Sequence, residues 1–516
     1  MKSSVVWREE IVDELGVKQC VYDACFDPEG SRILVAAGTQ VLVYNVKDGS
    51  LLHSLKAHKD LIYSVSYAFN GKTFASGGAD KNVFIWNQEF ESIRKFGHGD
   101  AIQCVRYNPV SNMLASCSTS DFTISTPDTK SLEKHKTESR INCCAWNSAG
   151  TCLAIGMANG TVTVRDIKCV EKLVVRAEGP SNTDHPVWAL AWSPVNQNKE
   201  ILCISDWGGK LMFYNITGHV VLPERNIKTE LLTLMYYRDG YYLLGAGCNK
   251  SVSIWSSNGA SQLVTLDSFD SWIWACVPSP DNCSILVGCQ DATLTLYGVE
   301  FSPLYHVHRE MVVSRVNLTE VRVSNVMSSS MVNIKCSDCV HAVFIYKNKL
   351  GVQMNDKVVV YEIYQAEITG MHARILKKIR HNLKAKLRGI CATHFLMEEE
   401  DRLECYNFEG NMEREWHFPQ AKISCVRVID GVPGKECFLV AFHTGLVMKL
   451  FLHISFGSEL LNAGKYITEL HLNESGEQLA CMTNTRLLYV YSLMKDTPQL
   501  YHEMYVDSVA WNSQAQ

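Results

Sequence analysis

The sequence has no charge-free run of the roughly 18 apolar residues that a helix needs to cross a bilayer. Its opening, Met1-Lys2-Ser3-Ser4-Val5-Val6-Trp7-Arg8-Glu9-Glu10, lacks the apolar stretch of a secretory signal and carries acids early. Neither sign of charge dominates: 49 Lys and Arg face 54 Asp and Glu, a formal net charge of -5. That balance leaves no overall field to draw in nucleic acid or an anionic membrane. Catalytic signatures are missing as well: there is no GxxxxGK[ST] phosphate loop, GxSxG elbow, HExxH pair or kinase motif set. A non-enzymatic chain without cofactor or metal is the expectation.

The 20 cysteines are spread thinly. Cys25, Cys104, Cys143, Cys144, Cys203 and Cys276 sit inside apolar, strand-like runs, where cysteine behaves as a small hydrophobe. Cys336-Ser337-Asp338-Cys339 is a lone CxxC with no second pair at finger-like spacing and no βαβ context, so neither zinc nor redox chemistry is expected of it. A reduced, cytosol-facing compartment follows. The sequons at Asn215, Asn282, Asn317 and Asn473 are then expected to stay unmodified.

What the chain does have is length and apolar content. Its 516 residues, 47% hydrophobic and 20% charged, suit a folded protein of two or more domains. It also has an internal repeat. In the clearest copy His58–Tyr67 is followed by Asn70-Gly71, then Phe74-Ala75-Ser76-Gly77-Gly78-Ala79-Asp80, then Val83-Phe84-Ile85-Trp86. Short alternating strands punctuated by Gly, Asn and Asp signal hairpins. The closing position of the third strand recurs at Tyr44, Trp86, Ser125, Arg165, Tyr214, Trp255 and Tyr297, at gaps of 42, 39, 40, 49, 41 and 42 residues. That period predicts four-stranded blades of the WD40 type, and seven of them close a ring. The long gap contains Glu178–Thr183, a loop composition.

Beyond Tyr297 the rhythm weakens. Blade-like pairs recur at Val343–Tyr361, Phe438–Phe451 and Leu479–Tyr491. The expected fold is therefore all-β, with tandem WD40-type propellers: a seven-bladed ring over 1–300 and a second, partial ring over 301–516, joined within 298–320. Asp507–Asn512 reads as the opening strand of a further blade, so either the second ring is open or the chain is a fragment of a longer protein; a fragment is the expectation, since an open sheet edge invites pairing with another chain.

Three constellations invite chemistry. His58, Ser76, Asp80 and Trp86 have the spacing of a hydrogen-bonded tetrad; four polar groups that satisfy one another buried make a structural role the expected one, not catalysis. The next unit keeps His98 and Ser116 but has Ser125 in place of tryptophan. Arg374, Lys377, Lys378, Arg380, Lys384, Lys386 and Arg388 form a stretch without an acid. It is either a basic amphipathic helix, with Ile375, Ile379, Leu383 and Leu387 at four-residue spacing, or an outer strand with a solvated basic edge. The helix would suit an acidic partner or anionic lipid, a contact these seven residues are candidates for, whereas the strand would leave them as solvated surface charge. The run Glu398–Asp401 reads as a hairpin turn. Trp188 with Trp192, and Trp272 with Trp274, lie at even spacing and are expected on one strand face, as blade packing or as peptide anchors.

Several strings are more specific than generic blade residues: Val6-Trp7-Arg8-Glu9, His58 to Trp86, and His98 to Pro109. To these add Leu114–Ser118 with Asp121-Phe122, Ser205–Gly208, Ser271–Trp274, Val287–Asp291 and Ser508–Asn512. Over nearly its whole length the chain resembles the intraflagellar transport protein 122 family, subunits of complex A. The resemblance implies tandem N-terminal propellers ahead of a long helical-repeat arm, which is missing here. It also implies a scaffold in dynein-driven retrograde ciliary transport, cilium assembly and ciliary entry of membrane proteins. The implied partners are other complex A subunits, membrane-cargo adaptors and the dynein-driven train, with peripheral membrane contact and no nucleic acid. The implied location is the cytoplasm, cilium and basal body. The rival readings are a coatomer-like vesicle coat subunit, which shares the double-propeller plan, and a propeller-type ubiquitin-ligase substrate receptor, against which the absence of an adaptor-binding helical box counts.

Overall fold

The computed structural model describes residues 2–126, 132–176, 185–194, 200–259, 261–366, 370–381, 385–419, 421–429, 431–473, 477–493 and 499–506. The expected loop at 178–183, Lys384 and the run 507–512 lie outside the described residues. Every regular element among the described residues is a β-strand, and the strands form 12 four-stranded sheets. The chain divides into two compact units, Met1–Ser302 and Pro303–Gln516.

The first unit holds seven sheets. Six are consecutive antiparallel meanders over 21–55, 62–97, 102–136, 141–176, 187–226 and 231–268, here blades 1 to 6. Blade 7 takes three strands from 273–300 and its fourth, outermost strand, Lys2–Glu10, from the N-terminus. No sheet closes on itself. The ring closes instead by packing: the innermost strands touch in sequence order, and Ile273–Pro278 of blade 7 returns to Val21–Phe26 of blade 1. Pairing of Lys2–Glu10 with Thr293–Glu300 ties the chain start to the last blade. Val6–Glu9, part of the family likeness, was not foreseen as a strand.

The seven closing positions all fall in the third strand of their sheets. The core is a series of layers between neighbouring blades, because the middle strands of each sheet are apolar on both faces. Ile33, Val35, Leu286 and Leu294 fill the seam between blades 7 and 1. Leu34, Val43, Val65 and Phe74 fill the next. Turn chemistry sets the hairpins. Gly71 sits at φ +66° and Lys81 at φ +65°, left-handed positions that only glycine adopts without strain; the Asp80 carboxylate compensates at the second by accepting from Asn82 N at 3.2 Å.

The second unit holds five sheets, over 305–335, 342–380, 386–417, 423–462 and 467–505, here blades 8 to 12. Their innermost strands pack in order, and among the described residues no packing of like extent returns from Ile467–Leu472 to Tyr305–His308. The second propeller is thus incomplete in this chain. Two of its blades, 8 and 10, escaped the sequence reading.

Candidate functional site

In blade 2 the imidazole of His58 links two strands and a loop. Its Nδ1 lies 3.0 Å from Asp80 Oδ1, its Nε2 lies 2.9 Å from Ser76 Oγ, and Trp86 Nε1 donates to the same hydroxyl at 2.9 Å. Burial pushes the His58 pKa down despite the pull of Asp80, and Asp80 is lowered because its bonds and attraction to His58 outweigh its own burial. A neutral ring donating to a carboxylate results, with every polar atom of the chain used. In blade 3 His98 contacts Asp121 and Ser116 in the same way, and Ser125 turns its hydroxyl to Leu114 O at 3.4 Å. Asp121 was missed as a member of this second chain. The strand register shows why other blades lack it: Val35, Ile155, Ile204, Gly245 and Val287 occupy the place of Ser76.

A second polar network was not foreseen. Asp23 Oδ2 accepts from Ser64 Oγ at 2.8 Å, Val65 N at 3.1 Å and Arg106 Nη1 at 2.8 Å. Arg106 Nη1 also donates to Val105 O at 2.9 Å. Three successive innermost strands are thereby clamped together. The sequence signal was a single charged residue, Asp23 or Arg106, inside a strand otherwise free of charge.

The axis of the first ring is lined by a repeated irregularity. Each innermost strand carries a β-bulge after its first residue. The skipped residues, in blade order, are Tyr22, Tyr63, Gln103, Asn142, Trp188, Leu232 and Trp274. Four are aromatic and form an arc, with ring centroids 5.2 Å apart for Tyr63–Tyr22, 5.8 Å for Tyr22–Trp274 and 6.4 Å for Trp274–Trp188. Trp207 and Trp272 extend it, and Trp274 Nε1 is buried without a partner among the described residues. The expectation that Trp188 and Trp192 share a face is corrected: the bulge at Trp188 shifts the alternation. Trp188 joins the axial arc, and Trp192 is buried between blades, donating to Ala145 O at 3.2 Å. At the opposite ends of the same strands a cavity of about 360 Å³ is lined by Phe26, Tyr67, Phe69, Tyr107, Pro278 and Pro280 among others.

The basic stretch is not a helix. Arg374, Lys377, Lys378 and Arg380 lie on Gly370–Arg380, the outermost strand of blade 9. Lys386 and Arg388 belong to Lys386–Ile390, the innermost strand of blade 10, where Arg388 pairs with the buried Glu398 at 2.5 Å. One sequence run therefore divides between an outer edge and an axis. Glu400 and Asp401 form the hairpin turn between His394–Glu399 and Arg402–Asn407.

Elsewhere in the second unit His306 is half-buried, and loss of hydration at its ring, reinforced by Arg427 and His308, pushes its pKa down to about 3. Burial likewise pushes the Cys336 thiol up to about 11 and raises Cys339. Among the described residues no group of three or more His, Cys, Asp or Glu side chains is placed to hold a metal ion.

Two family models match, described as the IFT122 first beta-propeller over residues 20–298 and the IFT122 second beta-propeller over residues 305–516. Curated relatives named intraflagellar transport protein 122 homolog match the whole chain: 38% identical from Mus musculus, 37% from Xenopus tropicalis and 33% from Homo sapiens. The chain spans 43% of the first two relatives and 46% of the third, less than half their length. Two consecutive propellers, each matched by its own family model, and identity that runs end to end place this chain in the intraflagellar transport protein 122 family.

Proposed function

We propose that the chain is a non-enzymatic scaffold of intraflagellar transport complex A, serving retrograde ciliary transport, cilium assembly and the ciliary entry of membrane proteins. The observation that carries this reading is the match of both propellers, without interruption, to relatives named for intraflagellar transport. Its partners are the other complex A subunits, membrane-cargo adaptors and the dynein-driven train, and its place is the cytoplasm, basal body and cilium. The mechanism is rigid presentation. A propeller holds loop-built faces in fixed positions, a few buried anchors supply most of the binding energy, and several weak contacts add through avidity on a repeating assembly. The axial arc around Trp274 and the cavity beside Phe69 offer such anchors at opposite ends of the first ring. The His58 and His98 chains serve the blades themselves.

Affinity purification of the tagged chain from ciliated cells tests the reading. Recovery of complex A subunits supports it and assigns assembly contacts to these propellers. Recovery of vesicle-coat or cullin-ligase subunits in their place rejects it.

A further inference from the structure

The outermost strand of blade 9 differs from the other outer strands. Gly370–Arg380 spans 11 residues. Elsewhere among the described residues outermost strands run from 2 residues at His135–Lys136 to 9 at Lys2–Glu10 and Ile454–Asn462. Its inner side pairs with Lys357–Ala366 along its length. The other side has no strand partner, so alternate backbone N–H and C=O groups point outward and can receive a further strand.

The charged side chains along this edge are all cationic. Arg374, Lys377, Lys378 and Arg380 are exposed, and Ile375 is 50% exposed. Arg374 shares Glu362 with Lys349, at 2.5 and 2.6 Å. Among the described residues no carboxylate lies within ion-pair distance of Lys377, Lys378 or Arg380. A bulge at Leu376 interrupts the ladder, and after it Lys377 and Lys378, being consecutive, project to opposite sides of the sheet. Cations on both sides of an edge flank whatever runs along that edge. A flat anionic membrane would meet only one side, and the remaining cations of the sequence run, Lys386 and Arg388, sit on an innermost strand away from it. Like charge also bars a second copy of this strand from pairing here, so the edge discriminates as well as binds.

We propose that Gly370–Arg380 is a docking edge for an acidic, extended segment of a partner protein, which adds to blade 9 as a fifth antiparallel or parallel strand. Main-chain hydrogen bonds to the edge supply affinity, and carboxylates on alternate residues of the incoming strand meet Lys378 and Arg380 on one side of the sheet, while Lys377 flanks the strand on the other. This goes beyond the scaffold role and holds whichever assembly contains the chain.

The test uses the full chain and a fluorescein-labelled decapeptide that alternates glutamate with threonine, a soluble strand former. Anisotropy is expected to show saturable binding that weakens as salt is raised. The triple variant Lys377→Glu, Lys378→Glu, Arg380→Glu should weaken it about tenfold or more, with an unchanged melting curve. Two further peptides, N-methylated on one or the other alternate set of amides, separate strand addition from side-chain attraction. One set should abolish binding and the other preserve it. Equal binding by both methylated peptides, by a lysine–threonine counterpart, or no binding by the parent overturns the proposal. Capture of phosphatidylserine vesicles, lost in the triple variant while the parent peptide stays unbound, overturns it in favour of lipid.

Discussion

Buried polar chains are worth their packing only when every member is satisfied, and the two histidine chains let that rule be tested within one ring. Ser76 Oγ serves both His58 and Trp86, while Ser116 Oγ serves His98 alone. Ser76→Ala leaves a buried indole N–H and a buried imidazole nitrogen unpaired, and each such orphan costs about 1–3 kcal/mol. Ser116→Ala leaves only the imidazole. Denaturant unfolding of the two variants should therefore show the larger loss for Ser76→Ala, and equal losses would show that the tryptophan link adds nothing. The same histidines set an acid limit. His58 and His98 are depressed by burial in the folded state, whereas an unfolded histidine titrates near about 6.5. The unfolded chain then binds more protons, so stability present above that value falls as pH drops through and below it. Asp80 and Asp121, also depressed, add a further loss below about pH 4, where unfolded aspartates protonate. Melting temperature followed from about pH 7.5 downward should fall from about 6.5, and less steeply in a His58→Gln, His98→Gln variant.

At the scale of strands and blades, the strand Lys2–Glu10 has an effect out of proportion to its length. It supplies the outer edge of blade 7 while the rest of that blade comes from 273–300. Trp7 ties it inward, since its Nε1 donates to Val46 O at 2.8 Å and its ring packs against Tyr44 6.3 Å away. Removing residues 2–10 should leave blade 7 with a bare edge and lower the first unit's melting temperature, with broader unfolding as the ring loses its tie. An unchanged transition would show that packing between innermost strands closes the ring unaided. Legibility in the sequence followed the same division between local and distant pairing. Blades 1 to 6 are meanders whose hairpins are written locally, so a period near 42 residues locates every third strand from Tyr44 to Trp255. Lys2–Glu10 pairs with a partner almost 300 residues away, and its own alternation is blurred by the bulge between Val5 and Trp7. Blades 8 and 10 lack the Gly-Gly-Ala-Asp pattern seen at Gly77–Asp80; the turn at Glu398–Asp401 was legible, but not the blade around it. Side-chain partners across blades were least legible. The Asp23–Ser64–Arg106 clamp depends on strands 40 residues apart meeting side by side, and the placing of Trp188 turned on a bulge that changes no residue type.

For the whole molecule, the two units carry separate sets of core clusters. Among the described residues the seam at Ile33 and Leu286 lies in the first unit, and the clusters around Val323, Phe438 and Leu479 lie in the second. Each should therefore unfold by its own cooperative transition, and two perturbations assign them. Asp23→Ala leaves Arg106 without its carboxylate and removes the bond that joins three innermost strands, so it should lower one transition of the full chain and leave the other in place. His306 belongs to the second unit, and its pKa near 3 makes it bind a proton far more readily when unfolded. The second unit should accordingly lose stability as pH falls from about 6.5 toward 3, and His306→Asn should flatten that decline, because an amide oxygen can still accept from Ile345 N, which now reaches His306 Nδ1 at 3.3 Å. Differential scanning calorimetry of the two variants across that range separates the outcomes. Two transitions, one moved by Asp23→Ala and the other made less acid-sensitive by His306→Asn, establish independent rings on one chain. A single transition moved by both would mean that the rings fold as one cooperative body, and a scaffold built that way would transmit strain from one docking face to another.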